Sequence, residues 1–316
     1  MQSAVVVFVM SVIVFFGVNV VGDPIDMLIN PEADQEDIEI AIRALGLDKP
    51  IGEQYLFFLK NALAGNLGRS FIFGEPALQL ILQRMPATME LAFAALIMAV
   101  VLGIPLGLYA GLKPESLFAR TTMSVSILGF SLPTFWVGLM MIMVFAVILG
   151  WLPSTGRGEL GTFMGMTSSL FTLDGLLHML MPALNLALLK ISLVIRLTRA
   201  GTREAVLQDY IKFAYAKGLK QSRVIFVHLL KNILIPVITV LGLEFGNLIA
   251  FSVVTETIFA WPGMGKLLID SIQQLDRPVI VAYLILIVLI FVALNLIVDI
   301  AYSILDPRVR LGDRKA

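Results

Sequence analysis

Six stretches of this chain hold enough apolar residues in a row to cross a lipid bilayer, and no other feature constrains the fold as much. They run from about Ala4 to Val21, Thr88 to Leu112, Thr121 to Leu149, Leu176 to Leu197, Leu229 to Thr255 and Val279 to Leu305. Crossing about 30 Å of hydrocarbon takes about 20 helical residues. No water is available there to satisfy a backbone amide or carbonyl, so each stretch must bond within itself as a helix. Barrel strands would alternate apolar and polar residues over about ten positions, and these stretches do not. Composition agrees, with 58% of the 316 residues apolar and 15% charged, against about 45–50% and 25% in soluble domains. The mean hydropathy is +0.91. The expected fold is an all-α polytopic membrane protein of six transmembrane helices.

Local signals refine these helices. Pro133, in Ser-Leu-Pro-Thr-Phe-Trp, predicts a kink in the long third stretch. Gly103-Ile-Pro105-Leu-Gly107 offers small residues for close helix contact. The first stretch lacks the basic lead and the small-residue cleavage site of a signal peptide, so it reads as a span. A short basic segment ahead of Met1 is expected on the same grounds. Arg196, Arg199, Arg203, Lys212, Lys217, Lys220, Arg223 and Lys231 face only Glu204 and Asp209 between positions 196 and 231. Arg308, Arg310, Arg314 and Lys315 crowd the tail, whereas Asp23, Asp26, Glu32, Asp34, Glu36, Asp37 and Glu39 follow the first span. Basic loops stay in the cytoplasm. Both termini are therefore expected there, with 23–86 and the Gly/Ser/Thr-rich loop 150–175 outside. The expected domains are a first helix at 1–22, an extracytoplasmic lobe at 23–86, a transmembrane core at 87–305 and a cytoplasmic tail at 306–316. The lobe should hold two short helices, one after the acidic run at 32–39 and ended by Gly46, the other from Glu53 to Leu63 and ended by Gly65.

Several chemistries are excluded. Without cysteine there are no disulfides and no thiolate sites. His178 and His228 are too far apart in sequence to suggest a metal centre, and no metal is expected. Gly263-Met-Gly-Lys266 lacks the spacing of a phosphate loop. The outer segment around it should break at Pro262 and Gly263 and restart as a helix near Lys266 to Gln274. Ion-coupled carriers place carboxylates in mid-span, and Glu244 is the one good candidate, read here as a polar contact to a neighbouring helix or a pore-lining group. Lys190 and Arg196 are expected toward the inner end of the fourth span, where they can snorkel. The chain thus offers a pathway without an engine, so it is expected to be no enzyme.

The place for an engine to attach is the basic loop at 198–228. Its segment Asp209-Tyr-Ile-Lys-Phe-Ala-Tyr-Ala-Lys-Gly218 reads as a short helix. Tyr210, Phe213, Ala214 and Leu219 offer an apolar patch, with Lys212, Lys217, Lys220 and Arg223 around it. Gly218 permits the positive φ that ends a helix.

Taken together, Asn66-Leu-Gly-Arg-Ser70, Arg84-Met-Pro-Ala-Thr88, Ser131-Leu-Pro-Thr-Phe-Trp136, Gly150-Trp-Leu-Pro153, Ala214-Tyr-Ala-Lys-Gly218, Val254-Thr-Glu-Thr-Ile-Phe259, Pro262-Gly-Met-Gly265 and Asp306-Pro-Arg308 carry a resemblance. With Gly22-Asp-Pro24 and Leu45-Gly-Leu-Asp-Lys-Pro50, they make nearly the whole chain similar to permease subunits of ATP-binding-cassette importers of the dipeptide, oligopeptide and nickel group. That family's loop signature is Glu-Ala-Ala, three residues, Gly, nine residues, then Ile-x-Leu-Pro. Aligned on Gly218, the signature is matched here only by Ala214, Gly218 and Leu230. Lys212 stands in the slot of the leading Glu, and Lys231 in that of the Pro. This degeneracy resembles the first, B-type permease of peptide systems.

The resemblance implies a type I importer permease fold in a bacterial inner membrane and ATP-driven import of dipeptides or oligopeptides. Nickel, glutathione or oligosaccharide cargo is the alternative within the family, and an ion-coupled carrier the alternative outside it. It implies a heterodimer with a second homologous permease, two ATPase subunits carrying ATP and Mg, and an extracytoplasmic substrate-binding protein, with no cofactor on this chain and no nucleic acid. Asp209, Tyr210, Lys212, Phe213, Ala214, Lys217, Gly218 and Arg223 would contact the ATPase, and Ser131, Pro133, Glu244 and Asn247 are candidate pathway or gate residues.

Overall fold

The computed structural model describes residues 2–20 and 49–305. The acidic run with its expected helix, Gly22-Asp-Pro24 and the tail with Asp306-Pro-Arg308 lie outside the described residues. The elements are α1 (Gln2–Val20), α2 (Ile51–Leu63), α3 (Ala77–Leu112), α4 (Leu117–Ser131), α5 (Thr134–Met141), a hairpin of β1 (Gly161–Phe163) and β2 (Met166–Ser168), α6 (Leu173–Val206), α7 (Asp209–Ala216), α8 (Gln221–Ile258), α9 (Met264–Gln273) and α10 (Arg277–Leu305).

Among the described residues α3, α6, α8 and α10 are each long and apolar enough to cross a bilayer. A fifth apolar stretch, Leu117–Ser131 with Thr134–Ile148, is long enough only as a pair, and its two halves are bent by 107°. The break falls at Leu132-Pro133, where Pro133 removes a backbone donor and its ring disfavours a helical predecessor. The expected kink is thus a full interruption. Beyond Met141 the helix continues with π-type bonding from Ile142 to Ile148. The sixth apolar segment, α1, has 19 helical residues, about 28 Å of helix.

The described residues fall into two units, Met1–Met85 with Leu267–Val292 and Pro86–Lys266 with Ala293–Ala316. In the first, α2 lies against the middle of α1. Ser11 Oγ and Tyr55 Oη are 2.8 Å apart, and the Phe15 ring stacks near Tyr55 and Phe58 at 5.4 and 5.6 Å. An apolar cavity of about 130 Å³ there is lined by Val7, Val14, Phe58, Leu63, Ile285 and Leu289 among others. The loop before α3 is tied down by one carboxylate: Ser70 Oγ donates to Asp276 Oδ2, and the Phe71 amide to Oδ1 at 3.1 Å.

The second unit is organised around α6, which has neighbours on three sides. Toward α3 the contact is backbone to backbone. Gly103 faces Val194, Gly107 faces Ile195 and Thr198, and Gly111 faces Thr202. The spacing of four puts all three glycines on one stripe of α3. Toward α8 the two helices run antiparallel, joined at Asn185–Thr255, Lys190–Glu244 and Gly201–Ile233. Toward α4, the Arg196 guanidinium sits 5.0 Å from the Phe130 ring centre. This is a cation–π contact.

A methyl group at Gly107 would lie 2.7 Å from the Ile195 carbonyl oxygen and from Thr198 Cβ. Gly107→Val should therefore destabilise by about 1–3 kcal/mol. At Gly129 the nearest atom, Ser192 Oγ, is 3.5 Å from such a methyl, so Gly129→Ala should be neutral or better. The check is the thermal unfolding midpoint of the two purified variants in one detergent. Equal midpoints would remove the close contact as a determinant of the fold.

Candidate functional site: a short exposed helix, a mid-span ion pair and a buried carboxylate hub

Three groups of polar side chains interrupt the apolar body of the second unit. The first is the short helix α7. Gln208 precedes it in extended conformation, and Asp209 opens its first turn, favourable beside the helix dipole. It ends where expected. Gly218 has φ +71°, its amide donates to Tyr215 O at 2.9 Å, and the Leu219 amide reaches back to Ala214 O at 3.3 Å. These bonds occupy carbonyls that a helix end otherwise leaves bare.

The faces of α7 divide cleanly. Ile211 and Ala214 are buried against the rest of the unit. Ala214, expected in the outward patch, is thus an anchoring residue, because three and four residues along a helix return to one side. Tyr210 and Phe213 are 39% and 60% exposed. Tyr215 is exposed too, and Lys217 Nζ lies 4.5 Å from the Phe213 ring centre. Lys212 pairs with Asp209 at 3.0 Å. Both ends of that pair are open to solvent, so it contributes little to stability. Arg223 is exposed at the start of α8, whose next turns, Val224–Leu229, are π-helical. The result is an exposed aromatic surface with a basic rim.

The second group lies midway along α6 and α8. Lys190 Nζ pairs with Glu244 Oε2, and Asn247 Nδ2 donates to the same oxygen at 3.3 Å. Lys190 does not snorkel as expected: it stands at the centre of α6 and finds its counter-charge on the neighbouring helix. Glu244 makes the helix-to-helix contact foreseen for it. The other two pathway candidates are elsewhere. Ser131 bonds back to Ile127 O at 3.0 Å within α4, and Pro133 caps α5. Both belong to the broken span, which meets α6 at Ser192 and Arg196. Residues two apart on a helix point nearly opposite ways, so Ser192 and Lys190 serve different faces.

The third group was not singled out from the sequence. Glu256, fully buried at the end of α8, accepts from Thr88 Oγ1 at 2.7 Å, Ser252 Oγ at 2.8 Å, and the amides of Gly265 and Lys266 at 2.7 and 3.0 Å. It closes the Trp-Pro-Gly-Met-Gly turn onto α3. A side chain at Gly263 would collide with the carboxylate, and one at Gly265 with Val253 while crowding the same carboxylate. Trp261, also fully buried, donates from Nε1 to Ala87 O at 2.8 Å. Nearby, Arg157 Nη2 lies 2.7 Å from Glu90 Oε1 and Nε donates to Oε2 at 3.1 Å, with Ser169 on the same oxygen at 2.9 Å. The available signal was a Glu framed by Thr residues a few positions before two closely spaced glycines.

Glu256→Ala would strand two backbone donors and two hydroxyls, a loss of about 1–3 kcal/mol for each that finds no new acceptor. Glu256→Gln keeps one acceptor oxygen and should lose less. Thermal midpoints, with limited proteolysis of the 257–266 turn, would show that order. A Glu256→Ala protein as stable and as protease-resistant as the parent would contradict it.

Known proteins place this architecture. Residues 103–311 match the family described as binding-protein-dependent transport system inner membrane component, and residues 1–92 its N-terminal companion. The di/tripeptide transport system permease protein DppB of Pseudomonas aeruginosa (strain UCBPP-PA14) is 40% identical over 319 residues, covering 94% of this chain and 95% of that protein. The dipeptide permease DppB of Escherichia coli (strain K12) is 37% identical over 309 residues, covering 92% and 90%. The glutathione transport system permease protein GsiC of E. coli (strain K12) is 36% identical over 304 residues, covering 96% and 94%. In fold, the chain is similar to one from the inward-facing MetNI methionine ABC transporter. That likeness has TM-score 0.56 and 16% identity and covers 72% of this chain and 97% of the other. The chain therefore belongs to the inner membrane components of binding-protein-dependent transport systems, as a multi-pass permease.

Proposed function

We propose that this chain is the first permease subunit of an ATP-driven importer of short peptides. The observation that supports this most directly is the near-full-length similarity to permeases of di/tripeptide, dipeptide and glutathione systems. In this reading the chain forms half of a translocation pathway with a second, homologous permease. Two ATPase subunits bind from the cytoplasm, carrying the ATP and Mg, and a substrate-binding protein delivers cargo from outside. Both termini of the chain are cytoplasmic.

The physical basis for coupling is α7. Its buried residues, Ile211 and Ala214, root it in the unit that contains α6 and α8. Its exposed aromatics, Tyr210 and Phe213, offer what a protein groove takes up most readily, because aromatic anchors in a desolvated pocket dominate association energy. Lys212, Lys217 and Arg223 stand at the rim, where charges steer docking more than they hold it. Closure of the ATPases would push α7, and α6 and α8 would follow as packed bodies. Glu244 is already paired with Lys190, which leaves an ion-coupled mechanism without a free mid-span carboxylate at that position.

The test is reconstitution with the second permease, the ATPases and the binding protein. Phe213→Ala should weaken ATPase association by about 2 kcal/mol, a roughly 30-fold change, and lower ATP-driven peptide uptake in step. No atom would obstruct a side chain at Gly218, but a β-branched residue at φ +71° costs about 1–2 kcal/mol and unwinds the end of α7. Gly218→Val should therefore leave ATP hydrolysis running while uptake falls. Parental uptake in both variants would refute the coupling role. Accumulation of peptide by the chain alone, without nucleotide, would refute the importer itself.

A further inference from the structure

Lys190 and Glu244 are the one ion pair that joins two apolar spans at their centres among the described residues. Glu244 is 14 residues from either end of the α-helical stretch Leu230–Ile258, about 21 Å each way. Lys190 is the eighteenth of the 34 residues of α6. Charges at such depth are expensive, and those that persist face a bundle interior or a water-filled cavity. This pair is not sealed between its helices: 17% of the Lys190 side chain and 22% of the Glu244 side chain are open in the single chain. Glu244 Oε2 receives both Lys190 and Asn247. Asn247, one turn along α8, also fixes the carboxylate from its own helix, so the anion stays oriented if the cation swings away.

From this geometry we propose that Lys190 and Glu244, oriented by Asn247, form a waystation on the pathway that binds the charged termini of a zwitterionic cargo. The proposal rests on the importer reading above and names the cargo chemistry for it. Lys190 swings off Glu244 and takes the cargo's carboxylate, while Glu244 takes its ammonium. The site is electrically neutral when empty, because the two residues pair with each other. It is neutral again when loaded, because two ion pairs replace one. Neither state leaves an uncompensated charge in the low-dielectric interior, the situation that costs most. A short peptide at neutral pH carries this pair of termini, an α-ammonium and an α-carboxylate. A cargo with one terminus blocked would leave either Lys190 or Glu244 unmatched.

The experiment uses the assembled transporter in nanodiscs, without its binding protein, and measures binding of tritiated Ala-Ala, its N-acetyl form and its C-amide. The parent should prefer Ala-Ala over each blocked form by about tenfold, or 1.4 kcal/mol. Lys190→Met should lose discrimination against the C-amide, and Glu244→Gln against the N-acetyl form, while Lys190→Arg keeps the parental pattern. A merely structural pair would not produce these opposite, terminus-specific shifts. Where a single variant fails to assemble, Lys190→Met/Glu244→Gln, which removes both charges together, should bind all three compounds alike. Parental discrimination in these variants overturns the site. So does loss of subunit assembly in all of them, which assigns the pair to the contact with the second permease. Peptide uptake by the complete parental system keeps these outcomes separate from failure of the importer reading, which would appear as ATP hydrolysis without any peptide uptake.

Discussion

The antiparallel seam between α6 and α8 depends on a contact of a different kind on the far side of α6. There, three glycines of α3 contribute no side chain and let α6 approach with Val194, Thr198 and Thr202 against their backbone. In hydrocarbon, helices gain nothing by hiding apolar surface from water, so close packing and interhelical polar bonds must hold them together. The glycine stripe supplies the first and the seam supplies the second, with Asn185 donating to Thr255 and Lys190 pairing with Glu244. A helix gripped on both sides is fixed to its neighbours along its length, and α7 follows directly after its end.

The end of the same unit remote from α7 is built by the opposite strategy. Glu256 concentrates four donors on one carboxylate, and Trp261 fills the space beside it. Burying this much polarity is sound only when every member of the network is satisfied. The two glycines that let the turn approach Glu256 are therefore as much a part of the hub as the residues that bond to it. The buried hub and the exposed helix α7 thus stand at opposite ends of the α6–α8 pair.

Much of this was legible in the sequence, for identifiable reasons. Helix existence followed from apolar run length, because the bilayer leaves the backbone one option. The glycine stripe was readable from Gly103 and Gly107, the interruption from Pro133, and the limits of α7 from Asp209 and Gly218, each a local rule with a local cause. What escaped depended on neighbours distant in sequence. Lys190 was assigned to the membrane edge because a lone cation seeks water. Its partner is 54 positions away, on a helix whose register no local rule supplies. Glu256 escaped notice because its donors come from α3 and from the following turn as well as from its own helix. Ala214 was placed outward because composition alone does not tell which side of a two-turn helix is inward.

The π-helical turns Val224–Leu229 have a consequence for the alignment of α8. In them the Leu230 amide bonds to Ile225 O, five residues back, so the turn carries one residue more than an α-helical turn would. An α-helical turn takes about 3.6 residues, and the wide turn takes one more for the same full rotation. Deleting a single residue there would convert it to a normal turn and leave the residues beyond it pointing as before: Glu244 would still face Lys190, and Ile233 would still cover Gly201. The bulge is where α8 holds a spare residue without losing its alignment, much as a pleat takes up cloth without shifting the hem.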